Sequence, residues 1–244
     1  MRRIDFIMHK DPTLTLATNS ATLAFVRSLG ITSAKQMLAD GIQPERIAAA
    51  TNDKLGDPVE LVWLGRMVAS KRADVAIGLL SSLHKRGIPA RLTLIGDGPE
   101  RPTLERKVKD LELSGFVEFS GRIPWEQTFD YYDRSHFLVF TSMRDSSCPA
   151  VVEAAARGLP SLCVRHQGVA SLVPDSVAFG PENFSSIARL QEDLADVVAN
   201  FQFSPSEYRK ASQNALAFAR SQTWGQKVQT VLRDLEVRRA HGPA

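Results

Sequence analysis

Arg66 and Lys71 stand five residues apart, just behind the apolar run Leu61-Val62-Trp63-Leu64-Gly65. An arginine offers a fixed fork of donors and a lysine a mobile point charge, so two cations at one strand-to-helix turn suit a diphosphate and the charge that grows on it as it departs. A solvated arginine and a lysine opening a surface helix would share that spacing. A second stretch, Ile95 to Glu100, sets Gly96 and Gly98 behind another apolar run, which lets backbone come close to a ligand. A turn feeding a helix near Pro99 explains it equally well.

The segment Phe140 to Pro160 says most. Ser146, Ser147 and Cys148 precede a helix, where free amides and the helix dipole attract anions. Pro149, at the first helical position, gives up no needed donor. Glu153, about one turn inside, could accept both hydroxyls of a ribose, and Asp145, ahead of the loop, could accept hydroxyls of a sugar. The plainer alternative makes Asp145 an N-cap and Glu153 a solvated helix residue. It leaves unexplained a carboxylate set between Val151-Val152 and Ala154-Ala155-Ala156. His136 and His166 have no carboxylate or nucleophile nearby in sequence and read as polar edge residues. Ser146 and Ser147 are not in a Gly-x-Ser-x-Gly elbow. Cys148 has the position of a reactive thiol, but nothing there calls for a nucleophile.

These residues must be positioned by the elements around them. From Glu60 onward, short apolar runs alternate with amphipathic segments, which predicts a parallel sheet covered by helices. The expected strands are Leu61–Gly65, Arg91–Gly96, Phe116–Phe119, His136–Thr141, Pro160–Val164 and Ser176–Gly180. Helices are expected from Lys71 to Arg86, with Ala76, Leu79, Leu80 and Leu83 on one face; from Pro99, with Leu104, Val108 and Leu111; briefly around Trp125, Phe129 and Tyr132; and from Pro149 to Arg157. Three more follow, Phe184–Phe201, Pro205–Ser221 and Trp224–Arg239, the last with Val228, Val231, Leu232 and Leu235 on one face. The fold class is therefore α/β, a Rossmann-like doubly wound parallel sheet with C-terminal helices. In such sheets ligands bind where strands give way to loops at their carboxyl ends, which is where the motifs stand.

Composition agrees with a globular domain and narrows the ligands. The chain has 244 residues, 43% of them hydrophobic, enough for a substantial core. Thirty basic residues against 27 acidic ones, spread along the chain, give a net charge of +3, which is no nucleic-acid footprint. Two cysteines without a CxxC or metal-ligand spacing argue against a disulfide framework and a structural zinc, and suit a reducing cytoplasm. The N-terminus is interrupted by charge before any signal-peptide core forms, and no apolar run is long enough to span a bilayer; any membrane contact is expected to be peripheral.

Gly65-Arg66 followed by Lys71, Ile95-Gly96-Asp97-Gly98-Pro99, the stretch Phe116 to Pro124, and an acid eight residues before the Glu153 of Glu-Ala-Ala-Ala-Arg-Gly-Leu-Pro together resemble the donor-binding domain of family 4 glycosyltransferases. The resemblance covers about Glu60 to Pro160. That family carries two glutamates separated by seven residues; here the pair is Asp145 and Glu153, the former one methylene shorter. The resemblance implies a GT-B enzyme that transfers a hexosyl-type sugar with retention from a nucleoside diphosphate sugar, without metal or other cofactor. It makes Arg66 and Lys71 ligands of the diphosphate, Asp145 of the transferred sugar, the Ser146, Ser147 and Cys148 amides of the phosphates, and Glu153 of the ribose. Gly121, Arg122 and Ile123 become the segment whose backbone meets the base. Arg66, Lys71 and Asp145 form the catalytic set, acting by electrostatics and positioning.

The same resemblance divides the chain. Residues 1–56 are expected to be the end of an acceptor domain plus linker, 57–222 the nucleotide-sugar domain, and 223–244 a crossing helix and tail. The crossing helix and the Leu14–Asn19 strand are then expected to expose apolar surface meant for an absent domain, a separate partner or a second copy. The acceptor, base and sugar stay unassigned. A non-catalytic nucleotide-sugar-binding module or truncated remnant would keep the same donor site; an epimerase of GT-B architecture fits the Arg/Lys and Asp/Glu spacing less well than the transferase does.

Overall fold

A computed structural model describes residues 14–37, 40–50, 55–145 and 147–241. The first elements, Thr15–Ala17 (β1), Ser20–Ser28 (α1) and Ala34–Gln36 (β2), form a small unit in which β1 and β2 pair in parallel. Asn19 caps α1, its side chain accepting from the Thr22 amide at 2.8 Å.

The main body alternates strand and helix: Val59–Leu64 (β3), Ala73–Lys85 (α2), Ala90–Ile95 (β4), Arg101–Asp110 (α3), Val117–Gly121 (β5), Thr128–Asp133 (α4), Phe137–Phe140 (β6), Pro149–Ala156 (α5), Ser161–Cys163 (β7), Gln167–Leu172 (α6) and Ala178–Phe179 (β8). Ile187–Phe203 (α7), Pro205–Ser221 (α8) and Trp224–His241 (α9) complete it. All six expected strands form. Helix α6 and strand β2 add to the expected elements; neither segment is long or periodic enough to stand out in the sequence.

The six strands lie in the order β5-β4-β3-β6-β7-β8, all parallel. The order reverses between β3 and β6, the switch point of a doubly wound sheet. Side chains alternate between two cores, because successive residues of a strand point to opposite faces. Leu61, Trp63, Phe137 and Val139 enter the core under α2, α3 and α7. Val62, Leu138 and Phe140 enter the one under α4, α5 and α8. With both faces covered, β6 is buried at every residue, which is why the central strands read as continuous apolar runs.

Helix α9 does not join the sheet. It turns back to the N-terminal unit, where Asp234 pairs with Lys35 and the Trp224 amide donates to the Ile42 carbonyl at 3.3 Å. This packing divides the apolar stripe of the helix. Lys227, Val231 and Leu235 turn inward, whereas Trp224, Val228 and Leu232 are exposed. The small β1–β2 unit offers too little surface to cover the whole apolar stripe. Leu16, Phe25 and Leu29 on that unit are exposed as well.

His136 ties the start of β6 to the segment entering the sheet. The Gly56 and Glu60 amides point at its ring, 3.0 Å from Nε2 and 2.8 Å from Nδ1. A neutral imidazole accepts at one nitrogen, so it takes a hydrogen bond from one of these amides, and an imidazolium accepts at neither, so protonation removes that bond. Burial likewise holds the His136 pKa below its ordinary 6.5. The unfolded chain therefore takes up this proton first: the contribution is intact above about pH 6.5 and is lost as pH falls towards the depressed folded value. Urea unfolding should show stability dropping between pH 7 and pH 5, with a shallower drop in His136→Gln. Equal slopes for the two proteins would remove His136 as the cause.

Candidate functional site

The loops after β3, β4 and β5 are fastened edge to edge. The Gly65 amide donates to Ile95 O (3.0 Å), Met67 N to Asp97 O (2.9 Å), Gly96 N to Gly121 O (2.7 Å) and Glu100 N to Met67 O (3.1 Å). This contact accounts for Gly96 and Gly98. Gly96 has φ +123°, and a Cβ there would sit 2.0 Å from the Gly65 carbonyl oxygen; a Cβ at Gly98 would sit 2.3 Å from that of Met67. The close approach that glycine permits is here one of loop to loop. What the two glycines do is hold the turn that carries Arg66.

Arg66 is exposed on that turn, and Lys71 ends a short 3₁₀ turn, Ala69–Lys71, leading into α2. Across the switch point stands the loop after β6. Met143 N donates to Ser70 O at 2.8 Å, and the Thr141 hydroxyl, accepting from the Trp63 indole at 3.1 Å, lies 3.0 Å from Lys71 O and 2.8 Å from Arg72 O. These bonds bring Lys71 to Asp145: Nζ is 2.6 Å from Oδ2, the carboxylate side chain being 13% exposed. Two residues 74 apart in the chain form one ion pair over the crevice where such sheets bind ligands. An ammonium has three donors, so Lys71 keeps further ones for an anion.

Asp145 also accepts from the Cys148 amide, at 3.0 Å on Oδ1. The N-cap of α5 is Cys148 itself, with no side-chain cap bond, so the plainer alternative of Asp145 as the cap does not form; its carboxylate instead engages the Cys148 amide, expected to face a phosphate. Ser147 is partly exposed in a bend, and Ser146 lies outside the described residues. Cys148 is corrected as a thiol too: burial, with Asp145's charge, pushes its pKa up to about 12, and Cys163, fully buried, is likewise pushed to about 12. Both are free and buried, the opposite of the setting that activates a thiolate.

Glu153 is not a solvated helix residue. It is partly buried between Val152 and Ala154, and its oxygens accept from the Trp125 indole N–H (2.8 Å, Oε1) and the Tyr132 hydroxyl (3.2 Å, Oε2). Burial raises its pKa, the two donors pull against that, and the charge of Asp40 pushes it up further. Each oxygen has a second lone pair left to offer. In sequence, Trp125 and Tyr132 read as the apolar face of a short helix; their seven-residue spacing, which sets both on one side, is the available sign of a shared target.

The remaining sites fall around these. Arg122 is exposed, and Ile123 is half-buried against the core under α4 and α5. His166, expected to have no carboxylate nearby, precedes α6 within the field of Asp145, whose carbonyl accepts from Gly168 N at 3.3 Å. Burial lowers the His166 pKa, and Asp145 works against it.

A cationic turn, a carboxylate and a helix start meeting at the switch point of a parallel sheet invite comparison with known proteins. The family model described as glycosyl transferases group 1 matches residues 45–218. The chain belongs to this family. AmsK of Erwinia amylovora, an amylovoran biosynthesis glycosyltransferase, is 28% identical over 65% of this chain and 42% of its own length. A phosphatidylinositol N-acetylglucosaminyltransferase component of Arabidopsis thaliana is 26% identical over 61% of this chain and 33% of its own. The chain thus spans less than half the length of these two relatives. Among solved structures, Anabaena HepE in complex with UDP superposes with a TM-score of 0.76 at 17% identity, over 92% of this chain and 64% of that one. WaaG, a glycosyltransferase involved in lipopolysaccharide biosynthesis, gives 0.67 at 19%, over 85% and 58%. These likenesses place the group 1 chain in the GT-B fold.

Proposed function

We propose that this chain is the donor-binding half of a retaining, family 4-type GT-B glycosyltransferase that takes a hexosyl-type sugar from a nucleoside diphosphate sugar. The observation that carries the reading is the Lys71–Asp145 pair across the β3/β6 switch point, with Arg66 on the turn after β3 and Glu153 on α5. In this reading Arg66 and Lys71 hold the diphosphate and stabilise the charge developing on it as the glycosidic bond breaks, a duty a metal ion performs elsewhere. Asp145 orients the sugar through its hydroxyls, Glu153 takes the ribose, and the backbone at Arg122–Ile123 meets the base. That HepE was crystallised with UDP, with UDP and glucose, and with UDP-glucose supports the assignment.

The acceptor pocket belongs, in this proposal, to a second domain lying over β1, α1 and α9. Leu16, Phe25, Leu29, Trp224, Val228 and Leu232 are the exposed apolar residues it would cover. We place the protein in the cytoplasm, consistent with two unpaired buried cysteines, with any membrane contact peripheral.

Calorimetric titration with UDP, GDP and ADP tests the reading. One of them should bind, and Arg66→Ala should weaken it by about 1.5 kcal/mol, roughly tenfold, as expected for a charge-assisted phosphate contact. Binding of none, or equal binding by the variant, would sink it.

A further inference from the structure

We propose that Trp125 and Tyr132 are positioning residues that fix the Glu153 carboxylate in the orientation accepting a vicinal diol, and so give the site its preference for ribonucleotides over 2′-deoxyribonucleotides. This rests on the donor-site reading above and names what enforces its sugar selectivity on the nucleotide side.

The terminal torsion of a glutamate is broad, so a carboxylate at the end of a free side chain sweeps through many orientations. Glu153 is denied that freedom. The Trp125 indole holds one oxygen at 2.8 Å and the Tyr132 hydroxyl the other at 3.2 Å, leaving one lone pair on each. Two acceptors side by side match two adjacent ribose hydroxyls. The donors also oppose the burial and the nearby Asp40 charge that push the carboxyl towards its neutral form.

Both donors are themselves held. Tyr132 is wholly buried, and its phenol is kept protonated by its surroundings, so it remains a donor at any working pH. Trp125, 43% exposed, meets Phe129 edge to face at 5.2 Å, and Phe129 meets Tyr132 likewise at 6.0 Å. The Arg46 guanidinium lies over the Trp125 ring at 5.3 Å and over Phe129 at 5.0 Å. The Arg46 carbonyl in turn accepts from Arg157, one residue past α5. The indole N–H is thus aimed by a cluster gathered from the segment before β3, the turn after β5 and the end of α5. A role confined to stitching α4 onto α5 would need packing alone; it would not need both donors to converge on one carboxylate.

The test uses the full chain and whichever of UDP, GDP and ADP binds, with its 2′-deoxy form, titrated from pH 5 to 8 against wild type, Trp125→Phe, Tyr132→Phe and the double variant. Wild type should favour the ribonucleotide about tenfold, the worth of one hydrogen bond to a charged group. Each single variant should cut that preference severalfold and the double bring it near unity, with affinity for the 2′-deoxy form little changed. The acid limb of ribonucleotide binding should move to higher pH in each variant, since Glu153 loses a donor that favours its charged form. A stitching role would lower melting temperature and leave both the preference and the acid limb in place; that result overturns the proposal. So does a wild type that binds nucleotide in an Arg66-dependent manner with no ribose preference, while the donor site itself stands. Absence of any nucleotide binding overturns both. Should the double variant fail to fold, Trp125→Phe, altered at a half-exposed ring, decides alone.

Discussion

Lys71→Ala is expected to weaken nucleotide binding by about 3 kcal/mol, roughly 150-fold, more than any other single truncation in the loops around the crevice. Two losses combine. The diphosphate loses a cation whose hydrogen bonds are charge-assisted, and the Asp145 carboxylate, 2.6 Å from Nζ and largely shielded from water, is left without its countercharge. That carboxylate, no longer offset by an ammonium, would then face the incoming phosphates. The double variant Lys71→Ala/Asp145→Asn separates the two: with the negative charge gone, it should bind more tightly than Lys71→Ala alone whichever nucleoside diphosphate the wild type takes. The full cycle by calorimetry should show coupling of about 1 kcal/mol or more between the positions. If the double variant binds no better than Lys71→Ala, the pair does not work as a unit.

Gly96→Ala is expected to destabilise the fold by about 3 kcal/mol, with a fall in melting temperature of roughly 6–12 °C for a chain of this size. Its φ of +123° disfavours any L side chain, and its Cβ would lie 2.0 Å from the Gly65 carbonyl, a backbone atom that cannot swing aside. Either the β4 loop or the β3 turn must shift, and the latter carries Arg66. Nucleotide affinity should therefore fall together with stability. Gly87→Ala is the control. Gly87 has φ +71° with nothing within 4 Å of the methyl that alanine would add, so it carries backbone strain without the clash, and should cost about 1 kcal/mol with binding unchanged. Equal melting temperatures for the two variants would show that loop-to-loop contact is not what Gly96 secures.

The contrast between these two glycines marks where sequence stops being informative. Gly87 is legible as a helix stop, because the signal lies in its own neighbours: an amphipathic run that ends there. Gly96 is legible only as a glycine behind a strand. Which atom it must admit depends on β3 and β4 lying in register from Val59–Ala90 to Leu64–Ile95, so that their loops leave side by side.

The same division runs through the site. Period-two and 3.6-residue patterns, together with the turn residues, determined on their own that strands and helices alternate, roughly where they end, and that Arg66, Lys71, Asp145 and Glu153 stand at carboxyl ends of strands or just beyond. Those are local properties, set by how each residue meets its near neighbours and by which face is apolar. Tertiary structure alone decided who partners whom. Strand order put β3 beside β6, and so Lys71 against Asp145 from 74 positions away. The turn after β5 delivered Trp125 to Glu153 across 28 positions. Asp145 became both counter-ion to Lys71 and acceptor for the Cys148 amide, and Cys148 sank into the core rather than opening onto the crevice. No local pattern encodes such pairings, because they arise when separate elements bury their apolar faces against one sheet and carry their polar ends with them.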